Sequence, residues 1–420
     1  MNTPTGTQSC ALKTDYPSKK LMIIRLASAA IFYVDSPNRR TAKSLAAAAI
    51  PKPLSVAAWS APKALVMLIT AIKASIARSN IMADVSTKEK AIQLSHGGGG
   101  KEMNKLIRDL FFAEFDNPIL RSEEDAAKLE LQGATAFTTD SFTVSPLFFA
   151  GGDIGKLAIA GTVNDLAMMG AEPQYLSCSV IIEEGFSLKD LTTIVRSMAK
   201  ELKQSGARIV CGDTKVVPKG CADGLFINTS GVGRILRPNI SAANVAPGDA
   251  IIVSRDVGCH GAAILMAREG LTLESALQSD CATLWPVVEQ LIAANIPLHA
   301  MRDATRGGLS AVLNEWAVAA NVGITVNEAS IPVCDEVKGL CELYGFEPMD
   351  LANEGTFILA VPNDIALGAL EIMQRFGHCE SAAIIGTVSD ELPGKVILRT
   401  PWNTKRYLDL PQGELLPRIC

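Results

Sequence analysis

From Ile92 almost to its end, the chain alternates segments of strand character with segments of helical periodicity. Such alternation restricts it to architectures of helices layered on sheets, because each amphipathic helix needs an apolar sheet face to cover. After Gly97 to Gly100, the residues Met103, Leu106, Ile107, Leu110 and Phe111 fall at i, i+3, i+4, i+7 and i+8, one face of a helix. Ala136 to Val144 reads as a strand interrupted by Asp140. Ser187 caps a long helix bearing Leu188, Leu191, Val195, Met198 and Leu202, and Gly206 stops it. The β-rich run Ala207 to Val210 leads into Gly212-Asp213-Thr214-Lys215.

The loop Arg237 to Gly248, punctuated by Pro238, Pro247 and Gly248, separates this unit from a second with the same theme. A strand is expected at Ala250 to Ser254, helices near Gly261 and after Gly307-Gly308, and strands at Gly323 to Val326 and Thr356 to Val361. With 420 residues, 48% of them hydrophobic, the chain can fill two cores of ordinary size. The expected fold is α/β (α+β) with two domains, 82–245 and 246–408, followed by a tail, 409–420.

Residues 1–81 carry eleven Lys or Arg against Asp15 and Asp35, a net of +9, which leaves 28 basic and 42 acidic residues, net −14, for 82–420. The acidic body argues against nucleic-acid binding and suits carboxylates that gather Mg²⁺. The basic, Ser-rich start has the composition of a transit peptide or a disordered arm; an extension upstream of a start at Met82 is the reading preferred. The apolar runs Ala64 to Ile72 and Leu21 to Val34 are short or broken by Arg25, so no membrane span is expected. Ten scattered cysteines without a C-x-x-C pair fit a reducing, cytoplasmic setting. The spacings of Cys211, Cys221, Cys259, Cys334 and Cys341 are unlike zinc sites and read as small buried hydrophobes.

Asp140, Asp165, Asp213 and Asp303 are expected at strand ends or turns, where carboxylates converge on one sheet edge. Triphosphate chemistry needs such convergence, since Mg²⁺ takes a few carboxylates and leaves places for phosphate oxygens and water. Any one of them alone is as well explained by a turn or cap. Gly97, Gly98, Gly99 and Gly100 before a helix offer unhindered N–H groups to a phosphate, with Lys101 adding charge, although the spacing is not that of a Walker loop. Lys215, two residues after Asp213, is either a solvated lysine or a cation for a transferring phosphoryl group. Glu354, in Asn353-Glu354-Gly355, is either a turn residue or a general base.

The tail from Leu410 to Cys420 contains Pro411, Gly413 and Pro417 and is expected to be extended rather than helical. A thiol on such an arm can enter an active site. By itself Cys420 reads as incidental.

Together these residues resemble the HypE family of hydrogenase-maturation carbamoyl dehydratases, within the aminoimidazole ribonucleotide synthetase-like superfamily. The resemblance runs from Ile92 to Cys420. It rests on Leu94-Ser95-His96-Gly97, Thr139-Asp140-Ser141, Leu147-Phe148-Phe149, Gly155-Lys156-Leu157-Ala158, Asn164-Asp165, Gly212-Asp213-Thr214-Lys215-Val216-Val217, Asp303-Ala304-Thr305-Arg306-Gly307-Gly308, Ala352-Asn353-Glu354-Gly355 and the specific ending Pro417-Arg418-Ile419-Cys420. It implies an N-terminal ATP-binding domain and a dimer with the ATP site between N-terminal domains. It also implies a HypF-like carbamoyltransferase that loads Cys420 with a carboxamide. ATP-dependent dehydration to a thiocyanate would follow, with cyanide passed to iron on HypC- and HypD-like partners. In that scheme Asp140, Asp165 and Asp213 hold Mg²⁺. Gly97 to Gly100, Asn164, Gly212, Thr214 and Asp303 contact ATP, and Cys420, Lys215 and Glu354 are catalytic. A non-catalytic cysteine carrier and a selenophosphate synthetase are the competing readings; the latter needs a reactive Cys or selenocysteine beside the Gly-rich loop, which has none.

Overall fold

The computed structural model describes residues 90–270, 277–411, 416 and 418–420. The expectations for residues 1–81, and for 412–415 and 417 of the tail, lie outside the described residues.

A four-stranded sheet takes the order β1 (Thr135–Phe142), β6 (Leu225–Ile235), β4 (Ala171–Glu183), β5 (Arg208–Val217), antiparallel except for the β4–β5 pair. Small strands β2 (Phe148–Phe149) and β3 (Gly152–Asp153) form a hairpin beside it. One face of the large sheet alternates into the core through Phe142, Val180, Ile182, Ile209 and Ile227, as the two-residue period of a strand requires. That face is covered by α2 (Ile154–Met168) and α3 (Leu188–Ser205). α2 is buried almost all round, and Asp153 caps its start by accepting the N–H groups of Gly155 and Lys156. α3 begins at Ser187, whose hydroxyl accepts the Asp190 N–H at 3.2 Å, and ends at Gly206 in the left-handed region. Its buried stripe is Leu191, Ile194, Val195, Met198 and Leu202.

The first helical segment differs from expectation only in winding. α1 (Lys101–Leu106) passes without a break into a π-helical turn, Ile107–Phe112, and a last turn, Ala113–Phe115, burying Leu106, Leu110, Phe111 and Phe115. Gly97 is packed so tightly on β5 that a Cβ there would lie 2.6 Å from the Val216 nitrogen. The Gly-rich turn therefore abuts the edge strand that carries Asp213 and Lys215.

The second sheet has seven strands in the order β13 (Lys405–Tyr407), β12 (Lys395–Arg399), β9 (Gly323–Asn327), β11 (Ala383–Ser389), β7 (Asp249–Val253), β10 (Phe357–Pro362), β8 (Ala300–Asp303). Only β9 and β12 run parallel. Around it lie α4 (Cys259–Glu269), α5 (Trp285–Ala293), α6 (Gly308–Ala320), α7 (Asp335–Tyr344) and α8 (Ala366–Met373). β7 and β10 are buried on both faces, and Ile252, Phe357 and Leu359 share one apolar cluster with Phe142, Ile154 and Leu157. The two sheets thus belong to one continuous core. No helix among the described residues is long and apolar enough to cross a membrane.

The cysteines divide. Cys259 and Cys341 are buried, as expected of small hydrophobes, Cys334 is half-buried, and Cys211 and Cys221 are exposed.

Candidate functional site

The four aspartates do not all occupy strand ends. Asp140 lies within β1, opposite Thr229; Asp165 sits on α2; Asp213 lies within β5, opposite Ser179; only Asp303 ends a strand. β1 is not interrupted at Asp140, because Asn228 donates to its carbonyl at 2.8 Å and its carboxylate accepts the Ser141 N–H at 2.8 Å.

Side-chain parity then divides the set. Asp140 shares its face with the buried Phe142 and approaches α2 at Gly161, one turn before Asp165. The Thr138 hydroxyl, on the same face, donates to Asp165 at 2.7 Å. Asp213 alternates with the buried Thr214 and so points from the opposite face, where it pairs with Lys215 at 2.7 Å. The aligned row Asp140, Thr229, Cys178, Gly212 crosses the whole sheet, so three strand spacings, about 14 Å, also separate the two edges. Within one chain Asp213 and Lys215 cannot join Asp140 and Asp165. Among the described residues, no group of three or more His, Cys, Asp or Glu stands close enough to hold a metal ion unaided.

Asp303 and Glu354 complete an acidic pocket with Asp140 and Asp165. Burial, aided by the Asp165 charge, pushes the Asp303 carboxyl up to about 7. Burial raises Glu354 well above the usual carboxylate range, and Asp303, Asp280, Asp140 and Asp165 all push it further. Asp140 and Asp165 rise through burial as well, while Arg306 opposes the shift at Asp140 and Arg302 opposes it at Asp165. Carboxylates desolvated this far without matching cations are short of positive charge. The donor set suits a hard cation such as Mg²⁺ whose other positions go to phosphate and water.

Cys420 enters this pocket. Its thiol is driven up to about 11 by burial first, then by Glu354, against the opposing Arg306. Its main-chain oxygen accepts from the Thr143 N–H at 2.9 Å and the Thr143 hydroxyl at 3.1 Å. The Arg418 carbonyl accepts from the Ser145 N–H at 3.2 Å and from the Arg268 guanidinium, which also donates to the Ser145 carbonyl at 2.7 Å. The Arg418 side chain reaches the Thr143 carbonyl at 2.9 Å and Asp223. Ile419 is 4% exposed, a burial worth about 2 kcal/mol to the docked tail.

A strap, residues 279–284, joins this pocket to the first half of the molecule. Asp280 accepts the N–H groups of Glu354 and Gly355 and the Thr356 hydroxyl, the last at 2.7 Å. A Cβ at Gly355 would lie 1.9 Å from the Asp280 carbonyl, so only glycine fits beside Glu354. Glu201 on α3 accepts the Thr283 N–H, and Asn164 on α2 takes the Leu284 N–H while donating to the Ala282 carbonyl. The Asn164 amide is thereby engaged with the strap at both ends.

The remaining expected residues lie elsewhere. Gly98, Gly99 and Gly100 are exposed beside β5, and a cavity of about 110 Å³ opens between α1 and Gly212, Asp213 and Thr214, walled by Met103, Phe112 and Leu120. Thr143, His260, Arg268, Asp280 and Arg306 are the site residues that sequence reasoning missed. Only Arg306 stood in a quoted motif.

Residues 123–235 match the N-terminal domain model of AIR synthase related proteins, and residues 246–399 match its C-terminal counterpart. The chain is similar to the carbamoyl dehydratase HypE of Escherichia coli K12, with 46% identity over 338 residues, covering 78% of this chain and 99% of that protein. It resembles the crystal structure of the hydrogenase maturation protein HypE in complex with ATP at 45% identity and TM-score 0.76, covering 78% of this chain and 99% of that one. The HypE chain of a HypE–HypF complex matches at 46% identity and TM-score 0.65, over 73% and 99% of the two chains.

Proposed function

The chain belongs to the HypE family of carbamoyl dehydratases, and from that premise we propose that Cys420 is the residue whose S-carboxamide it dehydrates to a thiocyanate during hydrogenase maturation. The observation that carries this reading is the seating of the Cys420 thiol in the acidic pocket beside Glu354 and Arg306. A pocket that disfavours a thiolate suits a sulfur carrying a neutral carboxamide better than one attacking a free substrate.

An amide oxygen is a poor leaving group. Phosphoryl transfer from ATP makes it the oxygen of a phosphate ester; departure of phosphate with loss of both nitrogen protons then leaves S–C≡N, ADP and inorganic phosphate. Glu354 is the proposed acceptor of a nitrogen proton, since a carboxylate raised by burial is a stronger base once ionised. Arg306 faces the thiol and Asp140 and supplies positive charge where negative charge develops. Asp140 and Asp165 are the residues proposed to hold Mg²⁺, with Asp303 behind them. The metal would neutralise the phosphates.

Asp213, Lys215, Gly212, Thr214 and the Gly97 to Gly100 turn form the other half of the proposed nucleotide site. They join the first half across a homodimer. The uncovered face of the four-stranded sheet supports this, since it presents Phe137, 71% exposed, at one edge and Ile181, 43% exposed, paired with Lys215 at the other. The 110 Å³ cavity next to Gly212 is of adenine size and lined by aromatic and aliphatic side chains. The domains are taken as 82–245 for ATP and 246–408 for the second layer. A HypF-like transferase loads the cysteine, and HypC- and HypD-like proteins receive the cyanide.

Intact-mass measurement of the carbamoylated protein with and without Mg·ATP tests the reading. ATP should remove the mass of one water, mapped to Cys420. A Cys420→Ala protein that still accepts the carbamoyl group and loses water would overturn it.

A further inference from the structure

The main-chain oxygens of the last three residues are held from two sides, by the segment Thr143 to Ser145 and by α4. Arg418 is held by the Ser145 N–H and by Arg268 on α4, and Cys420 by both donors of Thr143. Ile419, between them, is held by the Nε2 of His260, 2.7 Å from its oxygen.

His260 is fully buried on α4, edge-on to Phe149. A carbonyl only accepts, so Nε2 must carry the hydrogen. The other nitrogen, Nδ1, lies 2.8 Å from the Ser279 hydroxyl. Ser279 already accepts the Cys281 N–H at 3.1 Å, so its own hydrogen is available for Nδ1. Burial favours the neutral ring that this arrangement needs. Ser279 adjoins Asp280, which fixes Glu354. One short chain of contacts thus runs from the tail backbone through His260 and Ser279 to the loop that seats the proposed base.

We propose that His260 is a positioning residue for the reaction: by donating its Nε2 hydrogen to the Ile419 carbonyl it sets the register of the tail and hence the place of the Cys420 thiol beside Glu354. This rests on Cys420 being the residue that carries the reacting group. A tail that slipped by one residue would displace the Cys420 thiol by about 3.8 Å, the spacing of successive Cα atoms. His260 opposes that slip because its donor meets a carbonyl only at the docked register. Its ring is inside the protein and meets the tail at the Ile419 main chain, so its effect falls on positioning and not on proton transfer.

The test uses the full chain with His260→Phe, which keeps a ring against Phe149 and loses the donor, and His260→Gln, which restores an N–H. Loading of Cys420 by the carbamoyltransferase, single-turnover loss of water with Mg·ATP, and alkylation of Cys420 by iodoacetamide are followed by mass spectrometry. For His260→Phe we expect loading at the wild-type rate, water loss slowed roughly tenfold and Cys420 alkylation accelerated by a similar factor, the shift produced by one lost hydrogen bond. His260→Gln should recover most of both. Water loss at the wild-type rate in His260→Phe, or slowed water loss with unchanged Cys420 alkylation, overturns the proposal. If His260→Phe does not fold, Ser279→Ala serves instead, with a smaller effect of the same kind expected and equal rates overturning it. A wild-type protein that loads but never loses water refutes the dehydration reading instead, and the alkylation comparison still decides the role of His260.

Discussion

The carboxylate of Asp280 accepts the backbone N–H of Glu354 at 3.1 Å, so the proposed base is aimed by a residue from a distant loop. Asp280 is 1% exposed and spends its oxygens on three donors of the Glu354 segment. Asp280→Asn replaces an acceptor oxygen with an amide that faces N–H groups. A charged hydrogen bond of this kind is worth about 1.5–3 kcal/mol, so water loss should slow by roughly ten- to a hundredfold while loading of Cys420 continues. Equal rates of water loss in Asp280→Asn and wild type would falsify the positioning of Glu354 by Asp280.

Cys420, with its docked thiol pushed up to about 11, should alkylate slowly at pH 8, where roughly one thiol in a thousand is ionised. The exposed Cys221 serves as the internal comparison. Peptide-resolved iodoacetamide labelling between pH 7 and 10 should show Cys420 lagging throughout, and more so with Mg·ATP, which is expected to hold the tail inward. Labelling of Cys420 as fast as Cys221 would contradict the docked state.

Asp303 gives the pH dependence of stability a definite sign. Its carboxyl moves from an ordinary 3.8 to about 7 in the folded chain, chiefly through burial. The folded state therefore binds that proton more tightly than the unfolded one. The resulting stabilisation is complete below about pH 4 and is lost as pH rises through about 7. Thermal unfolding should show this contribution to Tm falling between about pH 4 and 8, with Asp303→Asn flattening the fall. A wild-type Tm that is constant over this range, or an unaltered slope in the variant, rules the assignment out.

Asp140 and Lys215 occupy opposite faces and opposite edges of one sheet, so a shared site across two chains predicts complementation. Lys215→Ala and Glu354→Gln proteins should each fail to lose water. Mixed and allowed to exchange subunits, they should regain about a quarter of the wild-type rate, since half of the dimers are mixed and each has one intact site. No recovery after verified exchange would place the full machinery within a single chain.

The local features of this fold are legible in the sequence because they are decided locally. Ser187 and Gly206 bound α3 through their own backbone and side-chain chemistry, and the stripe from Leu191 to Leu202 needs only helical geometry. The aspartates are a different matter. That Asp140 and Asp213 point from opposite faces follows from the pairing of β1 and β4 with β6 and of β5 with β4, a register set by residues far away in sequence. His260 and Asp280 carry no motif, since one lies in an apolar helix and the other in a polar turn. Their roles arise only once Ile419 and Glu354 arrive beside them. Cys420 is singled out by the family resemblance and not by its own neighbours in sequence.

If Cys420 carries the reacting group, the docked tail has a kinetic consequence. A reacting group joined to its own catalyst meets the site at an effective concentration set by the tether, on the order of millimolar for a short flexible arm, however dilute the protein. Turnover of the loaded chain should accordingly be first order, without a Michaelis constant for the thiol. Free small thiols of the surroundings then compete at a standing disadvantage. The cost falls on release, because the same tether that guarantees arrival also favours return, so handing the product on must depend on a receiver that captures the tail while it is out.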